Sequence, residues 1–128
     1  MDSIKEQRDI RFIGSSLKDL NKLPEEIKEI FDFGIVLAAQ GEKHVKAKPL
    51  QGFGGTRVLE IRESDRSGTY RAVYTTIFKH VVYVLHVFQK KSKSGIATPK
   101  QDIELIKQRL KRAELDYAEN FKNEVNNG

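Results

Sequence analysis

Residues 68–91 read GTYRAVYTTIFKHVVYVLHVFQKK and contain two successive predicted strands. The first strand, Thr69 to Phe78, is rich in β-branched and aromatic residues, which fit the pleated surface of a sheet. The second strand, His80 to Phe88, is almost entirely apolar, which is typical of a central strand covered on both faces. The two strands therefore predict the middle of a sheet with other layers packed against it.

Four further elements are predicted upstream of these strands. Residues 57–63 (RVLEIRE) predict a strand that joins the first one through the turn SDRSG, and residues 8–13 (RDIRFI) alternate polar and apolar side chains as a half-buried strand does. Between them, leucines at helical spacing predict a short helix across 17–23, and a longer helix is predicted across 24–40. Residues 42–55 contain three glycines and one proline and are predicted to form a loop.

A last helix is predicted after the polar loop that follows the apolar strand. Thr98 and Gln101 have the spacing of a capping box, and Pro99 suits the first helical position. Apolar side chains then recur in steps of three and four residues, at Ile103, Ile106, Leu110, Ala113 and Tyr117. This spacing indicates an amphipathic helix that packs on the sheet or on a partner.

The order of these elements is β-α-α-β-β-β-α, which predicts the α+β class. We expect one domain over residues 1–128, with an antiparallel sheet, an N-terminal helical hairpin and a C-terminal helix. Residues 119–128 are expected to form a frayed tail. A chain of this length can bury an adequate core without disulfides, and it has no cysteines to form them.

The composition narrows the environment of the protein. The absence of cysteine excludes disulfides and thiolate sites and is consistent with a reducing cytosol. The N-terminus lacks the apolar run of a secretory signal, and no apolar stretch is long enough for a membrane helix. We therefore expect a cytoplasmic protein without a membrane partner.

The charges are unevenly distributed along the chain. The formal net charge is +5, yet residues 19–32 hold five acidic residues against two lysines. From Lys79 to Lys100 there are five lysines and no acidic residue. Such a window predicts a local cationic surface, which attracts nucleic acids or other phosphate-bearing partners.

The sequence lacks the common motifs for cofactors and metals. It has no GxxxxGK(S/T) loop and no GxGxxG, and QGFGG at 51–55 is neither preceded by a predicted strand nor followed by a helix. The three histidines, His44, His80 and His86, do not have the spacing of metal ligands. We expect neither a cofactor nor a metal.

Arg71 is the first candidate site residue. It lies in a strand of β-branched and aromatic residues, where an unpaired arginine is costly to bury. One interpretation is an ion pair with Glu60 or Glu63 of the neighbouring strand. The other is a guanidinium that faces an RNA phosphate, because its planar donors match that geometry. The sequence leaves both interpretations open.

The end of the apolar strand holds a second group of candidates. His86, Phe88 and Lys90 share a face if the strand continues, and Lys91 and Lys93 follow in the loop. His86 is either a satisfied core residue or a proton carrier in catalysis. The lysines are either a solvated loop or, beside an exposed aromatic ring, a binding surface for single-stranded RNA.

Basic residues outside this strand extend the candidate RNA-binding set. Lys46 and Lys48 form the opposite wall of such a site or merely a polar connection, and Arg57 is a further candidate. A cationic site without metal can support RNA cleavage by the RNA's own 2′-hydroxyl. The protein then has to orient that group, neutralise the developing charge and move a proton, for which histidine or a lysine of lowered pKa is suited.

Four segments carry a family resemblance: KPLQGFGGTRVLEIRE (48–63), GTYRAVYTTIF (68–78), VVYVLHVFQKKSKSGIATPK (81–100) and IELIKQRLK (103–111). They resemble the phage-derived HigB-like branch of the RelE toxin superfamily, and the resemblance runs from about residue 8 to residue 117. Its most specific residues lie on two strands and just after them: Tyr70, Arg71, Tyr74, His86, Phe88, Lys90, Lys91, Lys93, Thr98 and Pro99.

The resemblance implies a function that the residue pattern alone does not give. RelE-like toxins are endoribonucleases, and most of them cut mRNA on the ribosome. HigB-like members are neutralised by a HigA-like helix-turn-helix antitoxin, through which the pair binds its operator DNA. By motif, Arg71 matches the strand arginine that contacts the scissile phosphate, and Lys90 and Lys91 match the basic position at the end of the last strand. With His86, these residues form the predicted catalytic set.

The chain departs from the family pattern at its C-terminus. Several members place a tyrosine or histidine there as acid or base, whereas this chain has a long helix that reaches Tyr117 and Phe121. The identity of the proton-transfer residue therefore stays open. Two functions from different classes follow: a ribonuclease toxin, and a non-catalytic RNA- or protein-binding module of the same fold.

Overall fold

The computed structural model describes residues 7–55, 57–90 and 97–121. The elements in chain order are β1 (Asp9–Phe12), α1 (Ser16–Asn21), α2 (Glu25–Ala39), β2 (Lys48–Pro49), β3 (Val58–Asp65), β4 (Gly68–Thr75), β5 (Val81–Lys90) and α3 (Lys100–Asn120). The predicted α+β class and order are confirmed, with one short strand added in the segment predicted as a loop.

The five strands form one sheet in the order β1-β5-β4-β3-β2. β3, β4 and β5 form the predicted antiparallel meander, but β1 pairs with β5 in parallel. The sheet is therefore mixed rather than antiparallel throughout. The alternation in residues 8–13 indicates a strand but carries no information about its partner or direction. Parallel neighbours need a long connection, and here the chain between β1 and β5 contains α1, α2 and the strands β2, β3 and β4.

The added strand β2 lies at the edge of the sheet. Lys48 is in register with Glu60, and Pro49 with Leu59. A two-residue strand that contains proline has no periodic pattern, so it cannot be recognised from sequence. Its position fits the rule that proline is tolerated at sheet edges.

Two layers of helix cover the sheet on opposite faces. On the first face, α1 and α2 pack against alternate residues of β4 and β5, among them Ala72, Tyr74 and Val82. On the second face, α3 packs through Ile106 and Ala113 against the other alternate set. β5 is consequently buried from Val81 through Val87, which confirms the expectation of a strand covered on both sides. None of the helices within the described ranges has both the length and the apolar character needed to span a bilayer.

A β-bulge changes the orientation of side chains in β5. Val73 is in register with His86, but the next residue, Tyr74, is in register with Val84, so Leu85 is the extra residue. Leu85 packs in the α3-side cluster, and the adjacent His86 also reaches α3. The bulge thus places two consecutive residues on one face, as bulges do when they redirect a side chain.

The predicted capping box at the start of α3 is wrong. α3 begins at Lys100, and Pro99 occupies the position before the helix without a side-chain cap. The Thr98 hydroxyl bonds instead to Glu60 and Arg71 on the sheet. A hydrogen bond from the Thr98 hydroxyl to the buried Glu60 carboxylate is charge-assisted. It is therefore stronger than a hydrogen bond between neutral groups at a helix end. Pro24 likewise precedes α2 rather than beginning it.

Candidate active site

Four of the predicted site residues lie together on the α3 face of the sheet. Cross-strand register pairs Arg71 with Phe88, Val73 with His86, and Thr69 with Lys90. These pairs alternate along β4, so their side chains project from the same face in three successive rows. The sequence-based prediction that His86, Phe88 and Lys90 share a face is confirmed, and the structure adds Arg71 to that face.

Arg71 is held by a buried carboxylate and a hydroxyl. Its side chain is 2% exposed, and that of Glu60 is 4% exposed. Arg71 Nη1 donates to Glu60 Oε2 at 3.2 Å and to Thr98 Oγ1 at 2.8 Å. Thr98 Oγ1 in turn donates to Glu60 Oε2 at 2.8 Å. Of the two partners that the sequence left open for an ion pair, Glu60 is the one that Arg71 contacts.

Glu60 also binds a second arginine. Arg62 Nε donates to Glu60 Oε1 at 2.9 Å, and the Arg62 side chain is 37% exposed. Arg62 and Arg71 are directly opposite each other on β3 and β4. One carboxylate therefore holds two neighbouring guanidinium groups, of which one is buried and the other reaches solvent.

Lys90 adds a third cation at the end of β5. It is buried, and its pKa is lowered, first by loss of hydration and then by the charges of Arg71 and Arg62, while Glu60 opposes the shift. Two arginines and a lysine around one carboxylate leave a local excess of positive charge. A lysine with a lowered pKa can exchange a proton nearer to neutral pH than an ordinary lysine can.

His86 lies beneath α3. Its Nε2 is 2.7 Å from Asp102 Oδ1, and its ring stacks on Phe88 with centroids 4.3 Å apart. Arg109 Nη1 is 3.4 Å from His86 Nδ1; because a guanidinium can only donate, Nδ1 accepts and Nε2 carries the proton towards Asp102. Burial lowers the pKa of His86, although Asp102 opposes this shift. The contacts with Asp102, Arg109 and Phe88 therefore fix the position of the His86 ring between the sheet and α3.

Arg109 ties α3 to two other elements. It donates to the carbonyl oxygen of Leu85 in the bulge at 2.9 Å and to Ser15 Oγ before α1 at 3.1 Å. Ser15 Oγ donates in turn to Asp19 at 2.8 Å. The bulge that turns His86 towards α3 is thus fixed by the same arginine that contacts the imidazole.

Of the remaining predicted RNA-binding residues that the structure describes, Lys46 and Arg57 lie away from this site, whereas Lys48 lies on its face. Lys46 is exposed and bonds to Glu63 Oε2 at 2.5 Å, which holds the pKa of that carboxyl below its usual range. Glu63 is in register with Tyr70, whose side chain belongs to the α2-side cluster, so Lys46 serves the opposite face. Lys48 is in register with Glu60 and projects from the α3 face.

Arg57 lies at the other end of the sheet from Lys90. It precedes Val58, which is in register with Thr75, whereas Lys90 is in register with Thr69. Six residues along β4 correspond to about 20 Å at roughly 3.4 Å per residue. Lys91 and Lys93 lie outside the described residues.

Sequence reasoning missed four residues that build the site: Arg62, Thr98 as a site residue, Asp102 and Arg109. The signal for Arg62 was present, because strand alternation in RVLEIRE places Glu60 and Arg62 on one face. Asp102 and Arg109 are seven residues apart beside the apolar stripe of α3, which fits a helix side that contacts the sheet. Among the residues that the structure describes, no group of three potential ligands could hold a metal ion.

Comparisons with known proteins agree with this architecture. A family model described as "Phage derived protein Gp49-like (DUF891)" matches residues 18–111. The chain is similar to a mutant of the toxin RelE from Escherichia coli in the free state, at 24% identity over 84% of this chain and 98% of that chain, with a TM-score of 0.54. The toxin–antitoxin complex RelBE2 from Mycobacterium tuberculosis matches at 24% identity, 71% and 100% coverage, and a TM-score of 0.45. The comparison with curated proteins gave no match.

Proposed function

Because the chain belongs to the phage-derived Gp49-like family and has the fold of RelE-like toxins, we propose that it is the toxin of a type II toxin–antitoxin pair. We propose further that it is a metal-independent endoribonuclease that cleaves mRNA, on the ribosome, in the cytoplasm. The family match spans residues 18–111, which include β3, β4, β5 and the residues of the cationic cluster.

The observation that carries this proposal is the cluster of Arg62, Arg71 and Lys90 around Glu60 on one face of the sheet. Phosphoryl transfer needs positive charge fixed where the pentacoordinate phosphate develops its negative charge. Guanidinium groups supply donors in a planar arrangement that matches phosphate oxygens. The cluster supplies this electrostatic environment without a metal ion.

Each residue has a distinct role in the proposed reaction. Arg71 and Arg62 neutralise the phosphate, and Lys90 exchanges a proton with it or with a sugar oxygen. The 2′-hydroxyl attacks phosphorus and gives its proton to a base, the bond from phosphorus to the 5′-oxygen breaks, and that oxygen takes a proton. The products are a 2′,3′-cyclic phosphate and a 5′-hydroxyl end.

The other predicted site residues complete the proposal. Lys91 shares the basic position with Lys90, and His86 is the further candidate for proton transfer. Phe88 offers a ring for base stacking, which suits single-stranded RNA. Lys46, Lys48, Arg57 and Lys93 remain candidates for backbone contacts elsewhere along the RNA.

Arg71 also imposes a condition on the mechanism. Because it is 2% exposed and bonded to Thr98, a phosphate reaches it only when the segment around Thr98 moves aside. The same burial favours the second candidate function, a non-catalytic RNA- or protein-binding module in which Arg71 is purely structural. The two functions share the fold and the charge and differ in turnover.

The proposed partners follow from the family. A HigA-like helix-turn-helix antitoxin would bind the toxin, and operator DNA would be contacted through that antitoxin. The substrate is mRNA, presented by the ribosome.

The test is induced expression with and without the neighbouring helix-turn-helix reading frame, with transcripts mapped by primer extension. We expect growth arrest and new 5′-hydroxyl ends when the toxin is expressed alone, and rescue by the neighbouring frame. Purified protein acting on translation complexes should leave the same ends. Products that carry a 5′-phosphate would contradict the mechanism, and intact transcripts would support the binding module.

A further inference from the structure

The solvent-facing side of α2 carries an unusual combination of residues. Its exposed positions are Glu25, Glu26, Glu29, Phe33, Val36 and Gln40, which we call the α2 outer stripe. At 3.6 residues per turn these positions fall within an arc of about 100° on one side of the helix. The first turns of the stripe are acidic and the last turns are largely apolar.

The apolar end of the stripe continues onto the following segment. Phe33 is 58% exposed, and the edge of its ring faces His44 with centroids 5.8 Å apart. Val45, the next residue, is 91% exposed, and Val36 lies one turn further along α2. Single exposed apolar residues are ordinary, but a contiguous group of them marks an interaction surface.

This surface does not suit a polyanion. Its three glutamates repel phosphate, and the nearby Lys28 is already bonded to Asp32 at 2.8 Å. The cationic cluster of Arg62, Arg71 and Lys90 lies on the other face of the sheet. The cationic cluster and the α2 outer stripe therefore lie on different faces of the protein.

We propose that the α2 outer stripe and Val45 dock a basic amphipathic helix of the helix-turn-helix antitoxin. This inference rests on the proposed function and adds where the partner binds. The proposed antitoxin binds operator DNA, for which it needs a cationic surface. This chain is itself basic, with a formal net charge of +5. Acidic groups on one protein favour its association with a basic surface of another, and the stripe presents such groups beside an aromatic anchor.

Docking at this stripe leaves the candidate active site on the opposite face of the sheet. Substitutions in the stripe should therefore remove antitoxin binding without removing toxicity. Substitutions at Arg71 should do the reverse. These opposite effects distinguish the proposed surface from an antitoxin segment that lies across the cationic cluster.

The experiment measures the affinity of the purified full chain for the purified product of the neighbouring helix-turn-helix frame by isothermal titration calorimetry. Phe33→Ser is compared with Leu115→Ser, a matched change at a residue of α3 that is 64% exposed. Loss of an aromatic anchor should weaken binding by about 30-fold or more, whereas the α3 change should leave it within about twofold. A Glu26→Lys, Glu29→Lys double variant should weaken binding at low salt and reduce the salt dependence of the affinity.

The outcomes separate the two proposals. A Phe33→Ser protein that still arrests growth, is no longer rescued by the antitoxin and melts at the wild-type temperature supports the docking surface. Wild-type affinity in Phe33→Ser overturns the docking surface and leaves the toxin proposal intact. A concentration-dependent dimer of the chain alone that Phe33→Ser abolishes also overturns it, because the stripe then covers a second copy. If the wild-type chain binds no antitoxin, both proposals fail.

Discussion

The two faces of the central sheet are held by different kinds of contact. On the α2 face, Ile27, Phe31 and Ile35 pack against apolar residues of the strands. On the α3 face, polar groups accompany the apolar packing along the whole helix. His86 bonds to Asp102, Arg109 to the carbonyl of Leu85, and Tyr83 to Asp116.

The α2 face shows which contacts stabilise the fold, and the α3 face shows which polar groups the fold holds in place. Apolar burial stabilises roughly in proportion to its area, whereas a buried ion pair recovers its desolvation cost only with good geometry. The α2 face therefore contributes to stability mainly through apolar burial. The α3 face buries Arg71 and Glu60 at a cost in desolvation, and under the proposed function Arg71 recovers part of that cost as a phosphate contact.

Arg71→Ala should have the largest effect and should act on both activity and stability. Losing a charge-assisted contact in the transition state costs about 2.7–4 kcal/mol, or roughly a hundred- to a thousandfold in cleavage rate. Removing one partner of a buried pair also costs about 3–5 kcal/mol, because Glu60 is left uncompensated. Cleavage rate at low temperature and thermal melting by circular dichroism measure the two effects separately.

A double variant separates these effects further. Arg71→Met with Glu60→Leu removes both charges and should recover most of the lost stability while cleavage stays abolished. Arg66→Ala, in the exposed turn between β3 and β4, is the matched control and should change neither quantity. An Arg71→Ala protein that melts early yet cleaves at the normal rate would assign Arg71 to structure alone.

On the α2 face, Gly34→Ala should lower stability without changing the cleavage rate of folded molecules. A Cβ at Gly34 would overlap Cδ1 of the buried Ile61 on β3. Overpacking of this kind costs about 1–3 kcal/mol, less the roughly 1 kcal/mol that alanine gains over glycine in a helix. The midpoint of urea unfolding measures the change.

Ile61→Val removes the overlapping methyl group and provides the control for this prediction. The Gly34→Ala, Ile61→Val double variant should lose less unfolding free energy than the two single variants lose together. The reason is that valine at position 61 lacks the methyl group that the new Cβ would overlap. Strict additivity would show that α2 moves away from the sheet instead of meeting Ile61.

Arg62→Ala should weaken RNA binding modestly and shift the pH dependence of cleavage. Loss of one phosphate contact should reduce the slope of log affinity against log salt concentration by about 0.7 for single-stranded RNA. Because the charge of Arg62 helps to lower the pKa of Lys90, its removal should raise that pKa and move the corresponding limb of the pH–rate profile to higher pH. Fluorescence anisotropy and single-turnover cleavage across pH measure these changes.

Lys90→Met is the control for the predicted change in pH dependence. It should abolish the limb of the pH–rate profile that Arg62→Ala shifts. A limb that persists in Lys90→Met belongs to another group. An unchanged salt slope in Arg62→Ala would place that arginine outside the RNA path.

The sequence predicted those parts of the molecule that follow from local periodicity. The apolar run from Val81 to Val87 indicates a strand covered on both faces, as the structure shows. Strand alternation puts Arg71 and Val73 on one face of β4, and the structure agrees. The parallel pairing of β1 could not be inferred, because RDIRFI alternates identically in either direction. The orientation of His86 depends on a bulge at Leu85, for which no glycine or proline in β5 provides a signal.

The candidate-site residues within the strands could be predicted from sequence, whereas the positions of Lys46 and Thr98 could not. Strand parity predicts that His86, Phe88 and Lys90 share a face of β5, whereas the position of Lys46 depends on the path of an irregular segment. The spacing of Thr98 and Gln101 predicts a helix cap from local sequence alone. Glu60, 38 residues away, accepts its hydroxyl instead. Long-range partners of this kind follow from the fold and not from the local pattern.

His86→Gln should have the smallest effect, and it tests whether that residue belongs with the packing or with the chemistry. Burial lowers the pKa of folded His86 below 6.5, against the opposing influence of Asp102. Between the folded and unfolded pKa values the unfolded chain binds more protons, so this group's contribution to stability is full above about pH 6.5 and declines as the pH falls. Arg109 adds to the lowering, and Asp19 opposes it.

Glutamine keeps a donor for Asp102 and cannot be protonated, so the acid-side loss of stability should be smaller in His86→Gln than in the wild type. Urea unfolding at pH 7.5 and pH 5.5 measures the difference, and near-normal cleavage is expected if the imidazole only packs and positions α3. A loss of a hundredfold or more in cleavage, with stability preserved, would instead identify His86 as the proton carrier, because general acid–base catalysis typically contributes that much. Equal acid sensitivity in both proteins would mean that Asp102 fully offsets the effect of burial on the pKa of His86.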